Sequence, residues 1–185
     1  MSYDLMVFRP ESAPRTREEF MVWFQEQAEW SEEHDYTDPI VTSEELRNWF
    51  MEMIKTFPAM NGPFSVEDIS DENVSDYCIG KDVIYVAFAW SVAEKAYEIM
   101  NNNAEKYRVG FYDTSADDGN ILFPDNNGKN QSIDKFDNLS SIQQIKNTAK
   151  SGLENSSVKD IIYSRVKLNS SNNEQCDKKW WQFWK

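Results

Sequence analysis

Residues 83–90, Val-Ile-Tyr-Val-Ala-Phe-Ala-Trp, form a run that is apolar on both of the faces that a β-strand presents. Because its side chains are β-branched, aromatic or small, this run favours a strand. Such a strand must be covered on both faces, which predicts a central place in a sheet. Gly80 and Lys81 separate the run from a second apolar stretch at residues 77–79, so the two stretches predict a hairpin.

Three helices are predicted by apolar residues that recur at helical spacing. A hydroxyl residue with a glutamate three positions later, the capping-box pattern, introduces each of these helices. The three pairs are Thr16 with Glu19, Thr42 with Glu45, and Ser91 with Glu94. Further short strands are expected at residues 3–8, 109–113 and 121–123.

The predicted order of elements is β, α, α, β, β, α, β, β. This order resembles the ferredoxin-like plan with a pair of helices in its first crossover. We therefore expect an α+β fold in which helices cover an antiparallel sheet.

The composition of the chain changes near Pro124. Residues 1–125 carry 26 Asp and Glu against 9 Lys and Arg, whereas residues 126–185 carry 6 against 10. The later segment is rich in Asn, Ser, Lys and Gln, and its two amphipathic stretches are too short to be stable helices alone. We expect a folded body at residues 1–124 and a polar, partly ordered C-terminal extension at residues 125–185.

The bulk composition indicates an acidic, soluble protein and argues against several classes. With a net charge of −13, the chain is expected to repel nucleic acid and to favour basic partners. No apolar run approaches the ~20 residues of a membrane-spanning helix, and residues 1–10 lack the basic and apolar regions of a secretory signal. Two cysteines are too few for a small secreted disulfide scaffold, so we expect a cytoplasmic protein.

The sequence holds no pattern that is typical of a catalytic or metal-binding site. A metal site with several histidines is excluded because His34 is the one histidine in the sequence. We expect His34 at the C-terminal end of the first helix, where the helix dipole favours a cation. Cys78 is expected to be a small buried residue of a strand. No glycine motif that cradles a phosphate is present. We therefore predict no catalytic residue, no metal ligand and no cofactor.

Two groups of residues are candidates for binding a partner protein. Trp30 and Tyr36 flank the acidic pair Glu32 and Glu33, and aromatic residues anchor many interfaces. The C-terminal residues 178–185, Lys-Lys-Trp-Trp-Gln-Phe-Trp-Lys, combine aromatic and basic side chains, which is not typical of a solvated tail. They can dock on the body, on another protein or at a membrane surface, and we favour a protein. The candidate contact residues of this segment are Trp180, Trp181, Phe183 and Trp184.

Two resemblances bear on the function. Residues 3–8 (Tyr-Asp-Leu-Met-Val-Phe), 49–54 (Trp-Phe-Met-Glu-Met-Ile), 57–63 (Phe-Pro-Ala-Met-Asn-Gly-Pro) and 88–91 (Phe-Ala-Trp-Ser) resemble a family of uncharacterised bacterial proteins, over roughly residues 1–124. This resemblance implies no activity and no catalytic residue. The Trp-Trp-Gln-Phe-Trp of residues 180–184 is similar to the terminus of small bacterial proteins from toxin–immunity neighbourhoods, which implies an immunity-type binding protein.

Two hypotheses of function follow from these observations. The first is an acidic cytoplasmic binding protein. Its specific form is an immunity-type inhibitor of a basic toxin domain. Acidic residues of the first helix and of the loop that follows it would then contact the toxin. The alternative is a small-ligand binder or an enzyme with an aromatic-lined pocket, whose polar groups would be Tyr77, Tyr85, Tyr97, Tyr107 and Tyr112. Three tryptophans lie on periodic faces and are expected in the core instead: Trp23, Trp49 and Trp90.

Overall fold

The computed structural model describes residues 2–134 of the chain. These residues belong to two compact units. The larger unit spans Met1–Ala13 and Ser31–Ser132, and the described part of the second unit spans residues 14–30 and 133–134. The C-terminal extension predicted at residues 125–185 lies outside the described residues from position 135 onward, and so do all four aromatic residues proposed for its terminal segment.

The larger unit is built on a six-stranded antiparallel sheet. Its strands are β1 (Ser2–Phe8), β2 (Asp76–Ile79), β3 (Val83–Ala89), β4 (Gly110–Asp113), β5 (Ile121–Pro124) and β6 (Asn130–Ser132). They lie in the order β2-β3-β1-β4-β5-β6, and every neighbouring pair is antiparallel. The order β2-β3-β1-β4 is the ferredoxin-like arrangement, which β5 and β6 extend at one edge.

Three α-helices occur within residues 2–134. They are α1 (Arg17–Gln27), α2 (Glu44–Met53) and α3 (Ala93–Tyr107). Helix α1 belongs to the second unit, whereas α2 and α3 belong to the larger one. The predicted α+β class, with helices and an antiparallel sheet, is therefore confirmed.

Strand β3 lies inside the sheet, between β2 and β1, as the apolar run of the sequence predicts. Its register places Phe88 beside Tyr3 and Ile84 beside Val7. Ile84, Val86 and Phe88 are buried on one face of the sheet, and Val83 is buried on the other. The burial on both faces explains why polar residues do not alternate along this strand.

The main core of the larger unit lies between the sheet and the two helices α2 and α3. Helix α2 contributes Leu46, Trp49, Phe50 and Met53, and α3 contributes Ala96, Met100 and Ala104. Aromatic rings meet edge to face inside this core: Phe50 with Tyr77 at 5.1 Å, and Phe57 with Phe88 at 5.0 Å between centroids. Such pairs add about 0.5–1.5 kcal/mol to the gain from burial.

One of the three predicted helix caps is confirmed and two are wrong. Thr16 caps α1, where its hydroxyl oxygen accepts the Glu19 backbone N–H. Helix α2 is capped by Ser43 and not by Thr42, because the Thr42 hydroxyl donates instead to the Lys81 carbonyl at 3.0 Å. Helix α3 has no side-chain cap, since a 3₁₀ turn at Trp90–Val92 leads directly into it.

The prediction that Trp90 fills the core is also wrong. Strand β3 ends at Ala89, and Trp90 begins the 3₁₀ turn, so the alternation of the strand no longer sets its direction. Half of its surface is exposed (50 %). Trp49 is fully buried, as predicted, and Trp23 is half-buried in the second unit.

The described part of the second unit consists mainly of α1. Phe20 is buried and packs against Trp23, with ring centroids 5.4 Å apart and ring planes tilted by 52°. The Arg17 guanidinium forms an ion pair with Asp134 at 3.3 Å. No helix within residues 2–134 is long and apolar enough to cross a bilayer.

Candidate protein-interaction surface

A hydrogen-bonded loop between residues 31 and 38 holds three of the predicted partner-binding residues. The Glu32 carboxylate accepts the Lys81 backbone N–H at 3.1 Å and pairs with His34 Nε2. The Tyr36 hydroxyl donates to the Glu32 carbonyl at 3.0 Å. Glu32 and Tyr36 are therefore in direct contact, and Glu33 is exposed beside them.

His34 has a structural role in this loop, at a different place from the one predicted. It was expected at the end of the first helix, but α1 ends at Gln27. Its Nδ1 accepts the Tyr36 backbone N–H at 3.1 Å, so its Nε2 carries the hydrogen that faces Glu32. Because both ring nitrogens are engaged, the imidazole orders the loop and offers no free lone pair to a substrate.

Tyr36 fastens the same loop to the sheet. Its backbone carbonyl accepts the Ile79 N–H at 2.8 Å, at the outer edge of β2. Its φ of 58° is a left-handed conformation that a non-glycine residue rarely adopts. Trp30 also has a positive φ, 48°, but it belongs to the second unit.

A second loop, residues 59–75, connects α2 to β2 and is closed by its own backbone hydrogen bonds. The Met60 N–H donates to the Ser75 carbonyl at 2.9 Å, and the Val66 N–H donates to the Ala59 carbonyl at 3.0 Å. Ala59 forms isolated parallel bridges to both Ser65 and Ser75. The loop is therefore a compact surface loop with its ends held together.

The middle of this loop presents apolar side chains among acidic ones. Phe64, Val66 and Ile69 are 41 %, 37 % and 47 % exposed. Around them lie Glu67, Asp68, Asp71 and Glu72, all exposed. The sequence contains no Lys or Arg between residues 56 and 80. Lys95 of α3 reaches the edge of the loop, where its Nζ donates to Asn73 Oδ1 at 2.6 Å.

Two Asx turns fix the shape of the acidic stretch. Asp68 accepts the hydroxyl of Ser70 at 2.6 Å and its N–H at 2.9 Å, and these bonds lower the pKa of Asp68. Asp71 accepts the N–H of Asn73 at 2.8 Å and its side-chain amide at 2.7 Å, which lowers the pKa of Asp71. Both carboxylates therefore stay ionised while they order the backbone.

The two loops adjoin each other at one point of close backbone approach. Gly62 has a φ of 77°, and a Cβ added to it would lie 2.4 Å from the Thr37 carbonyl oxygen. Only a glycine fits there, because both the conformation and the space exclude a side chain. We call residues 31–43 together with residues 59–75 the acidic loop pair.

The acidic loop pair carries eight Asp and Glu residues and no Lys or Arg. Arg47 of α2 lies beneath its first loop, where the guanidinium donates to the carbonyls of Pro39, Ile40 and Thr42 at 3.0–3.1 Å. The Ile40 side chain is left exposed, at 69 %. A rigid acidic surface with apolar anchors is suited to bind a basic protein face.

The sequence prediction missed Phe64, Val66 and Ile69. The signal available in the sequence was three apolar residues inside a stretch of 25 residues that has no basic side chain. That stretch resembles an ordinary polar loop, because the bonds to Ala59 and Ser75 that give it a fixed shape join residues distant in sequence. Residues 2–134 contain no group of three or more His, Cys, Asp or Glu side chains arranged to hold a metal ion.

The acidic loop pair is identified from its own hydrogen bonds, charges and exposed side chains, and not from a resemblance to known proteins. The resemblances of residues 1–124 and 180–184 remain predictions. Comparisons of the chain with protein-family models, with curated proteins and with solved structures find no match.

Proposed function

We propose that this protein is an acidic binding protein that captures a basic partner protein through its acidic loop pair. The observation that carries the proposal is the combination, on two adjoining ordered loops, of eight carboxylates with exposed Ile40, Phe64, Val66 and Ile69. Carboxylates in excess over nearby cations attract a basic surface over distance, and apolar anchors hold it once it has arrived.

The fixed conformation of the two loops supports a role in binding rather than in solubility alone. A solubilising acidic surface needs charge but no fixed shape. Here His34, Tyr36 and the Asx turns of Asp68 and Asp71 hold the backbone before any partner is bound. A pre-organised loop loses less conformational entropy on binding, which increases affinity.

The specific form that we propose is an immunity-type inhibitor, located in the cytoplasm, that covers the functional face of a basic toxin domain. The excess of acidic residues and the similarity of residues 180–184 to termini from toxin–immunity neighbourhoods support this form. The low cysteine content supports the cytoplasmic location.

The test pairs the full chain with the product of a toxin-like reading frame beside its gene. We expect the two proteins to associate, and a strain lacking the chain to become sensitive to that product. The idea of an immunity protein is abandoned if no such reading frame lies beside the gene and the deletion strain resists every sibling toxin.

Charge variants of the loop then test the surface itself. Changing Glu67, Asp68, Asp71 and Glu72 to their amides removes four charges but keeps the oxygen acceptors of both Asx turns. A control set, Glu94, Glu98, Asp117 and Asp118, removes four exposed charges elsewhere. We expect the loop set to slow association by about tenfold or more at low salt and the control set to have a much smaller effect. Equal effects of the two sets would assign the binding to net charge alone.

A further inference from the structure

Asp113 is a buried carboxylate for which the described residues provide no cation. It lies at the end of β4, opposite Leu5 of β1, and is only 8 % exposed. Its Oδ1 accepts the Ser115 N–H at 3.1 Å, and its Oδ2 receives a long contact from the Tyr3 hydroxyl at 3.5 Å. The ion pairs found within residues 2–134 all involve other acids. Buried carboxylates in proteins are usually paired with a cation.

Aromatic rings surround the same end of the sheet. Tyr3 begins β1 and contacts Trp90, which follows β3, with ring centroids 5.2 Å apart and planes tilted by 52°. Tyr97 of α3 packs edge to face on Phe111 at 5.2 Å, and its hydroxyl accepts from Asn120 at 3.1 Å. These residues lie at the same end of the sheet, because β1 begins there and its antiparallel neighbours β3 and β4 end there.

The Tyr3 phenol links the exposed ring to the buried carboxylate. Burial, and then the charges of Asp113 and Tyr97, raise the pKa of the Tyr3 hydroxyl well above its usual value. The phenol therefore remains protonated and directs its O–H at Asp113. Its ring contacts the half-exposed Trp90, and its hydroxyl faces the Asp113 carboxylate.

We propose that Tyr3, Trp90, Tyr97 and Asp113 form a binding site for an organic ammonium group. A single exposed tryptophan needs no special explanation. Here Tyr3 contacts a half-exposed tryptophan with its ring and faces a buried carboxylate without a cation with its hydroxyl. Such a group of side chains suits an alkylammonium ion, because ring faces and carboxylate both attract positive charge.

This site is separate from the acidic loop pair. It uses the side chains of β1, β4 and α3, together with the turn after β3, and shares no residue with residues 31–43 or 59–75. A small-ligand site and a protein-binding surface can therefore succeed or fail independently.

The proposal can be tested by NMR titration of the ¹⁵N-labelled full chain with choline and with its uncharged carbon isostere, dimethylbutanol. The Trp90 indole N–H signal is assigned by its loss in a Trp90→Phe variant. We expect choline to shift this signal in a saturable way and the isostere to leave it in place. Equal shifts with both compounds, or no shift with choline, would refute the site.

Substitutions test the two parts of the site. Asp113→Asn and Trp90→Leu are each expected to weaken choline binding by about tenfold, whereas Asp118→Asn, on the same turn, should change it by less than about twofold. Trp90→Leu keeps the proposal testable if Asp113→Asn does not fold, because Trp90 is half-exposed. Full choline affinity in a folded Asp113→Asn or Trp90→Leu variant overturns the assignment.

A peptide that carries trimethyllysine identifies the source of the ammonium group. Tighter binding than choline indicates a protein side chain as the ligand, and weaker binding indicates a free amine. Either result with the expected dependence on Asp113 supports the site.

Discussion

The Tyr107 hydroxyl on α3 donates to the Glu52 carboxylate on α2 across 2.8 Å. Lys55 and Lys106 each bring an Nζ to the same carboxylate at 3.2 Å. These hydrogen bonds, that from Tyr107 foremost, lower the pKa of Glu52 to about 2. Glu52 thus joins the two helices that cover the core of the larger unit, at a site open to solvent.

The Glu52 contacts predict a particular dependence of stability on pH. The pKa of Glu52 is lower in the folded state than the value of 4.5 expected when unfolded, so the folded state binds fewer protons. Its stabilising contribution is therefore complete above pH 4.5 and is lost as the pH falls towards about 2. We expect Glu52→Gln to be less stable than the natural chain at pH 7 and the difference to vanish near pH 2, measured by urea unfolding.

Glu98→Gln is the matched control for this experiment. Glu98 is exposed on α3 and accepts no hydrogen bond from the described part of the chain. Its substitution should change the stability little at either pH. A difference between Glu52→Gln and the natural chain that persists unchanged at pH 2 would contradict the assignment of the effect to ionised Glu52.

The cap of α2 gives a second prediction. The Ser43 hydroxyl oxygen accepts the Leu46 N–H at 3.3 Å, whereas the predicted cap of α3, Ser91, makes no such bond. Ser43→Ala should therefore lower the free energy of unfolding by about 1 kcal/mol. Ser91→Ala should leave it within about 0.5 kcal/mol of the natural value. Equal losses in urea unfolding would show that the cap positions are misassigned.

Gly62 and Gly128 form a matched pair for the contact between the two acidic loops. Both have positive φ, 77° and 81°, so alanine at either site is expected to cost about 1–2 kcal/mol. A Cβ at Gly128 meets nothing closer than 3.5 Å, whereas at Gly62 it would lie 2.4 Å from the Thr37 carbonyl oxygen. Overpacking should therefore make Gly62→Ala a further ~1–3 kcal/mol less stable. Thermal unfolding of the two variants measures the difference, and equal losses would argue against the close approach of the loops.

Local patterns in the sequence predicted those parts of the fold that depend on neighbouring residues. The apolar run of β3 and the cap at Thr16 are of this kind, since a continuous apolar run and the Thr16–Glu19 bond each involve only a few neighbouring residues. The exposed position of Trp90 was not predictable in this way. Strand β3 ends at Ala89, one residue earlier than predicted, and the apolar pattern of the sequence does not mark that end.

Elements that depend on distant contacts were missed. Strand β6 consists of Asn130, Gln131 and Ser132, which have no strand pattern of their own. It forms because β5 offers an open edge and because Glu105 of α3 accepts the Asn130 N–H at 3.1 Å. The loop of Phe64 was missed for the same reason, whereas the contact between Glu32 and Tyr36 spans four residues and was within reach of sequence reasoning.

The boundary of the folded body, placed at residue 124 from composition, is open to a direct test by truncation. Strand β6 begins six residues later and pairs with β5 through Phe123 and its neighbours. Asn130 also donates to the Asn101 side chain of α3 at 2.7 Å, and Lys129 pairs with Glu105 at 3.2 Å. A chain ending after Pro124 lacks all of these contacts, whereas a chain ending after Asp134 keeps them.

We therefore expect the 1–134 fragment to unfold cooperatively within a few degrees of the full chain, and the 1–124 fragment to unfold at a clearly lower temperature. The physical reason is that removing β6 exposes the backbone of β5 as a new sheet edge. Circular dichroism and calorimetry of the three proteins make the comparison. Equal midpoints for the two fragments would show that β6 adds nothing and that composition placed the boundary correctly. A molten 1–134 fragment would instead show that the residues beyond 134 are needed to complete the fold.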